Sequence, residues 1–205
     1  MERGLNTLNL KKGLSFVAFG FFFTLINLNL TLNGAKLNVT PDFIGWILFF
    51  LAFDLLGTYV KDKLYLKWLS LVLVIITAAD WVLEITKPEL DTGAVRTFVT
   101  VLSGVYMYLL FGALEFIARD FKSSEESTIR ILRILNIVLY LGFVAAALAG
   151  ASSGASALLL LSAILGMAAL IAAIITMVVL FRLKREIGDK LDEKLDGKDV
   201  EFHDN

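Results

Sequence analysis

Six long apolar runs, each bounded by charged or turn-forming residues, dominate the pattern of this chain. A bilayer core of about 30 Å needs roughly 20 apolar residues of helix, and every run comes close to that length. Backbone groups in lipid must be hydrogen-bonded internally, so each run predicts a transmembrane helix. The pattern therefore predicts an all-α, polytopic helix bundle with spans at about 10–30, 43–60, 68–85, 98–118, 134–150 and 157–181.

The polar pattern changes between the first two runs. Residues 26–32 alternate strictly between apolar and polar, the pair Asn33-Gly34 follows, and the alternation resumes over residues 36–40. Period-two alternation around an Asn-Gly pair predicts a short β-hairpin lying over the outer face. The alternative is that the first helix continues through this stretch, which would place Asn27 on a face with other polar residues. The sequence leaves both interpretations open.

A charge-rich tail follows the last apolar run. Within it, aliphatic residues recur at a spacing of four, at Leu183, Ile187, Leu191 and Leu195. This spacing predicts that the last helix continues into the cytoplasm with a narrow apolar stripe, until Gly197 ends it and a disordered segment follows. The chain is thus divided into a six-helix transmembrane domain, residues 1–181, and a cytoplasmic tail, residues 182–205.

Composition narrows the classes of function. The 205-residue chain is 58% hydrophobic and 19% charged, with a mean hydropathy of +0.77, whereas a soluble domain is about half apolar and about a quarter charged. It has no Cys, and its only His is His203 in the tail. Thiolate metal sites, thiol nucleophiles and a Ser-His-Asp triad are therefore excluded. No phosphate-binding or dinucleotide motif is present, so we expect no enzyme activity, no cofactor and no metal.

Basic residues are divided unequally between the two sides that six spans define. The N-terminus, the second and fourth loops and the tail hold 16 of the 19 Lys and Arg, and the other three loops hold 3. The positive-inside rule then places both termini in the cytoplasm. Because these residues border the lipid, they are typical of headgroup contacts rather than of nucleic-acid binding.

One local motif resembles a known group of proteins. The run Thr40-Pro41-Asp42-Phe43-Ile44-Gly45-Trp46-Ile47-Leu48 resembles a motif of small, functionally uncharacterised multi-pass membrane proteins of bacteria, mostly Gram-positive. Their motif is Pro-Asp-Phe-Ile-Gly-Tyr, so Trp46 stands here where Tyr is more usual. The resemblance covers roughly the first third of the chain. It implies a bacterial plasma membrane protein and carries over no catalytic residue.

Four acidic residues within or near the predicted spans are the strongest candidates for chemistry: Asp54, Asp80, Glu84 and Glu115. A charge at the bilayer centre costs about 2.5–3.5 kcal/mol on insertion scales, so such residues should face the bundle interior, pair or be protonated. An outer pair of Asp80 with Glu84 and an inner pair of Asp54 with Glu115 would form a route for protons or cations. Asn27 would lie beside Asp80 if the first span is helical there.

The same acids also have a structural interpretation. Glu115 precedes Arg119 by four residues, the spacing of an ordinary helical ion pair, and Glu84 lies near the surface. Two hypotheses follow from the sequence. The first is a non-enzymatic structural or regulatory membrane component, and the second is a small proton- or cation-coupled carrier or channel. The lipid bilayer is the expected partner, and the sequence leaves a protein partner or a homo-oligomer open.

The predicted topology can be checked with reporter fusions. A reporter inserted in the fifth loop, residues 151–156, should be active on the outer side of the membrane. A reporter fused at residue 190 should be active in the cytoplasm. A cytoplasmic fifth loop would contradict the entire assignment of spans.

Overall fold

The computed structural model describes residues 2–25, 29–32, 35–38, 41–57, 59–60, 65–87, 93–153 and 156–200. Helices dominate the described residues, which confirms the predicted helical architecture. In chain order the helices are α1 (Glu2–Leu25), α2 (Asp42–Leu56), α3 (Tyr65–Thr86), α4 (Gly93–Asp120), α5 (Glu126–Ser153) and α6 (Ser156–Val200).

Two four-residue strands lie between α1 and α2. Strand β1 (Asn29–Leu32) pairs antiparallel with β2 (Ala35–Asn38). The described part of α1 ends at Leu25, and residues 29–32 of the alternating segment form a strand. Asn27 and the Asn33-Gly34 pair lie outside the described residues.

Each helix packs on the next one in the chain, and α6 also packs on α1, so the bundle closes into a ring. Where two contacts at different positions along the helices join a pair of neighbours, they show that the two helices run antiparallel. Examples are Gly13 with Leu56 and Gly20 with Phe49 between α1 and α2, Gly104 with Tyr140 and Gly112 with Arg133 between α4 and α5, and Lys11 with Gly188 and Phe19 with Phe181 between α1 and α6.

This antiparallel order gives the bundle two distinct ends. At the strand end, α1, α3 and α5 finish and α2, α4 and α6 begin. At the tail end, α1 begins, α4 turns into α5, and α6 continues beyond the bundle.

Aromatic side chains fill the centre of the ring. Phe21 of α1 meets Phe49 of α2 edge-on, with ring centroids 5.5 Å apart, and Trp46 of α2 meets Tyr106 of α4 at 5.1 Å. Gly45 allows α1 and α2 to approach closely, because a Cβ there would lie 2.8 Å from the carbonyl oxygen of Gly20. A substitution at Gly45 would therefore force the backbones of the two helices apart.

Within the described residues, four helices are long and apolar enough to cross a membrane: α3, α4, α5 and the part of α6 up to Leu191. Helix α2 has only 15 residues, which extends about 22 Å and is shorter than the hydrocarbon core. Helix α1 carries Lys11 and Lys12 near its middle. Length and composition thus support four of the six predicted spans.

The surface of these four helices is rich in exposed apolar side chains. Ile75 of α3, Ile131 of α5 and Leu160 of α6 are each more than 60% exposed. Exposed aliphatic faces of this kind fit contact with lipid chains.

Helix α6 extends well past its apolar part. It runs without interruption to Val200, so Gly197 does not end it. Leu183 and Ile187 of the predicted stripe are fully buried, and Leu191 is partly buried against the same core. The stripe is therefore part of the packing at the tail end of the bundle rather than a free apolar face.

Candidate functional site

Glu115, near the end of α4, is surrounded by three arginines. Its side chain is only 8% exposed. Arg130 of α5 donates from Nε to Glu115 Oε1 at 2.8 Å, and Arg133 donates from Nη1 to Oε2 at 3.3 Å. Arg119 also reaches Oε1 from one helical turn away, at 3.3 Å. The carboxylate is therefore fully paired, and it ties α4 to α5.

A glycine and an aromatic ring make room for Arg133 beside α4. A Cβ at Gly112 would lie 3.2 Å from Cζ of Arg133, which indicates how closely the guanidinium approaches the helix. The same guanidinium carbon lies 4.0 Å from the centroid of the Tyr108 ring, within range of a cation–π interaction. Arg133 Nε is buried and has no hydrogen-bond partner, so Glu115 and Tyr108 are the groups that hold this cation in place.

A second clamp joins α6 to the turn between α4 and α5. Glu186 of α6 accepts hydrogen bonds from Ser123 Oγ at 2.6 Å and from the backbone nitrogen of Ser124 at 3.0 Å. Lys190, one helical turn further on, pairs with Glu186 at 2.7 Å and donates to the carbonyl oxygen of Lys122 at 2.8 Å. Glu186 thus binds the donors at the start of α5, and Lys190 binds acceptors after the end of α4.

The two outer acids share one cation. Arg96, in the first turn of α4, donates from Nε to Asp80 Oδ2 at 3.2 Å and lies 3.6 Å from Glu84 Oε1. These pairs tie α3 to α4 at the strand end. The other oxygen of Asp80, Oδ1, is buried without a hydrogen-bond partner.

Asp54 occupies a different environment from Glu115. It pairs with Lys67 of α3, and its side chain is 49% exposed on the outside of the bundle. The Lys67 ammonium also lies 4.9 Å from the centroid of the Phe50 ring. Asp54 and Glu115 share no partner among the described residues, so the structure does not bring these two predicted site residues together. Asn27, the remaining candidate, lies outside the described residues.

A cavity of about 210 Å³ lies inside the bundle, in the half nearer the strand end. Its lining includes Trp46 and one acidic residue, Asp42, the first residue of α2, but neither Asp80 nor Asp54. Polar groups from α1, α4 and α5 also line it, at Thr24, Thr100, Ser103, Tyr108, Asn136 and Tyr140.

Asp42, like Asp80, has an unsatisfied carboxylate oxygen at this end. Its Oδ1 is buried without a hydrogen-bond partner. Burial, followed by the negative charges of Asp80 and Glu84, raises the pKa of the Asp42 carboxyl from 3.8 to about 6. With Arg96 as their shared cation, Asp80 and Glu84 carry an excess of negative charge next to Asp42. The carboxyl can therefore take up and release a proton close to neutral pH.

The sequence did not identify Asp42 as a site residue, because it falls within the Pro-Asp motif at the start of a helix, where an acid is common. A second signal was available in the fifth apolar run. Asn136 and Tyr140 are separated by one helical turn, and two polar side chains on one face of an apolar helix indicate a polar interior. Within the described part of the chain, no group of three or more Asp, Glu, His or Cys is arranged to hold a metal ion.

No protein-family model matches this chain, and no curated protein or solved structure is significantly similar to it. Its role must therefore be inferred from the geometry of these sites.

The two inner acids provide a matched pair of substitutions. Glu115→Gln should destabilise the bundle by about 1–3 kcal/mol, because it leaves the confined Arg133 guanidinium without its charged partner. Asp54→Asn removes a half-exposed pair and should cost about 0–1 kcal/mol. Thermal unfolding of each purified variant in the same detergent measures the difference. Equal losses of stability in both variants would show that the arginine cluster contributes no more to stability than the half-exposed Asp54–Lys67 pair.

Proposed function

We propose that this chain is a multi-pass membrane protein with a non-enzymatic structural or regulatory role. The observation that carries this proposal is that four of its acids act as ties between consecutive helices. Asp54 joins α2 to α3, Asp80 and Glu84 join α3 to α4, and Glu115 joins α4 to α5. A carboxylate that relays protons or cations must exchange partners during each cycle, whereas these four are held by cations of the bundle itself.

The proposed topology has six spans, with both termini in the cytoplasm of a bacterial cell. Helix α2 is short, but it packs between α1 and α3 and buries one face, including Trp46, Phe49 and Phe53. The ends of α2 can then be covered by protein rather than exposed to lipid. In this arrangement the basic clamps of the tail end face the cytoplasm, in agreement with the positive-inside rule. The paired strands form a hairpin over the outer face, and the Pro-Asp-Phe-Ile-Gly-Trp motif supports a plasma membrane location.

A regulatory role requires a surface that partners can reach. The part of α6 beyond its apolar segment projects from the tail end and carries exposed charged side chains, such as Arg182, Asp189 and Glu193. Because Glu186 and Lys190 fasten this segment to the α4–α5 turn, a partner that binds the tail would act directly on the packing of three helices. We therefore propose that the cytoplasmic tail receives the partner protein.

This role predicts protein contacts at the tail in living cells. A photo-crosslinking amino acid in place of Glu193 should give one discrete protein adduct on irradiation, because that position is exposed beyond the apolar part of α6. The control is the same substitution at Ile164, which is 57% exposed on the apolar face and should yield no discrete protein adduct. The absence of any protein adduct at Glu193, or equal adducts at both positions, would argue against the proposal.

The alternative function is a small proton- or cation-coupled carrier or channel. The cavity favours it, because a buried carboxyl with a pKa of about 6 lines a polar interior space in the half of the bundle nearer the strand end. Proton exchange at Asp42 rather than at Asp54 or Asp80 would then be the coupling step, since neither of those two acids lines the cavity.

Flux measurements distinguish the two functions. In proteoliposomes, the structural role predicts no proton or monovalent-cation flux above that of protein-free vesicles. A carrier predicts flux that Asp42→Asn abolishes and that Asp54→Asn leaves within about twofold of wild type, since Asp54 lies outside the cavity and pairs at the surface. Flux with that pattern of variants would replace the structural role by the carrier.

A further inference from the structure

A second cavity, of about 340 Å³, lies at the tail end between α1 and α6. Lys11 of α1 lines it together with Phe181, Lys184, Arg185, Gly188 and Asp189 of α6. Three of the six lining side chains are cations and one is an acid. We call these six residues the basic pocket, and the pocket is attractive to an anion.

The backbone of α6 is shaped to admit Lys11 into the basic pocket. A Cβ at Gly188 would lie 2.6 Å from Lys11 Cε and 3.0 Å from its Nζ. Gly188 thus leaves open the space beside α6 that the end of the Lys11 side chain occupies. The ammonium is thereby placed one helical turn from Lys184 and Arg185, so that cations from two helices converge on one space.

An apolar ledge adjoins the basic pocket on its membrane side. Phe181, which lines the pocket, meets Phe19 of α1 edge-on with ring centroids 6.1 Å apart. Phe19 is 50% exposed and Phe181 is 43% exposed. Further along α6, Ile174 and Val178 continue the exposed apolar surface. The cations thus lie at the point where an apolar, lipid-facing surface ends.

We propose that the basic pocket binds the headgroup of an anionic glycerophospholipid. The lipid phosphate accepts hydrogen bonds from Lys11, Lys184 and Arg185, and an acyl chain lies along Phe19 and Phe181. Asp189 accepts a hydrogen bond from a hydroxyl of the headgroup, which favours a glycerol headgroup. Basic pockets between membrane helices on the cytoplasmic side recognise anionic headgroups by the same chemistry.

A phosphate ion alone has the same charge chemistry but no apolar chain. The apolar ledge of Phe19 and Phe181 therefore distinguishes a lipid from a phosphate ion, because only the acyl chain of a lipid is stabilised by contact with it. The site requires that α6 crosses the membrane and is independent of the proposed structural role. Failure of the lipid site would leave the crosslinking and flux results unaffected, and the reverse also holds.

Native mass spectrometry tests the site by measuring which lipid stays bound to the full chain. The protein is released from detergent that contains equal amounts of phosphatidylglycerol and phosphatidylcholine. The wild type should retain phosphatidylglycerol in preference. Lys11→Gln with Lys184→Gln should lower that retention on the order of tenfold, since each basic residue near a lipid surface contributes substantially to anionic binding. The control is Lys12→Gln with Arg182→Gln, which removes the same charge at neighbouring exposed positions and should change retention less than about twofold.

Two further measurements distinguish a lipid headgroup from a free phosphate ion. Phe181→Ala should weaken retention of phosphatidylglycerol, and millimolar inorganic phosphate should not displace the lipid. Displacement by inorganic phosphate would overturn the lipid assignment in favour of a free-anion site. Equal losses in the pocket variant and the control variant, or equal retention of both lipids by the wild type, would overturn the proposal altogether.

Discussion

A carboxylate placed between apolar helices needs a cation from a neighbouring element, because low-dielectric surroundings leave an unpaired charge uncompensated. Glu115 shows the constraint most clearly, since α5 supplies Arg130 and Arg133 to it and α4 supplies Arg119. Wherever such a pair forms, the rotation of one helix relative to the next is restricted. The aromatic core gives the bundle its apolar stabilisation, and the ion pairs specify which faces of the helices meet.

Two glycines make room for cationic side chains in the same way. Gly112 lets the Arg133 guanidinium lie against α4, and Gly188 lets the Lys11 stem lie against α6. A methyl group at position 188 would overlap the lysine stem, and one at position 112 would crowd the guanidinium. Small residues in membrane helices are usually explained by close approach of backbones. In this bundle they also create room beside a helix for long cationic side chains.

The sequence pattern predicted the positions of the helices better than the side-chain pairs that join them. Every apolar run contains or overlaps a helix, because periodicity and length are local properties of the chain. The pairing of Arg96 with Asp80 and Glu84 was not foreseen, since Arg96 counted only as a basic residue of a loop. Its pairing depends on the rotation of α3 against α4, which tertiary packing decides. Likewise, Asp42 looked like an acid at a helix start, and only the packing of α4 and α5 shows that it borders a cavity.

The two ends of the bundle differ in what their charges can do. At the tail end, the carboxylates of Glu115 and Glu186 are fully engaged, and a group of cations borders the apolar surface of α6. At the strand end, Asp42 and Asp80 each keep a buried oxygen without a hydrogen-bond partner, and the surplus charge is negative. Among the described residues Asp42 forms no ion pair, so a change in its protonation breaks no tie between helices, whereas Asp80 at the same end is tied to Arg96.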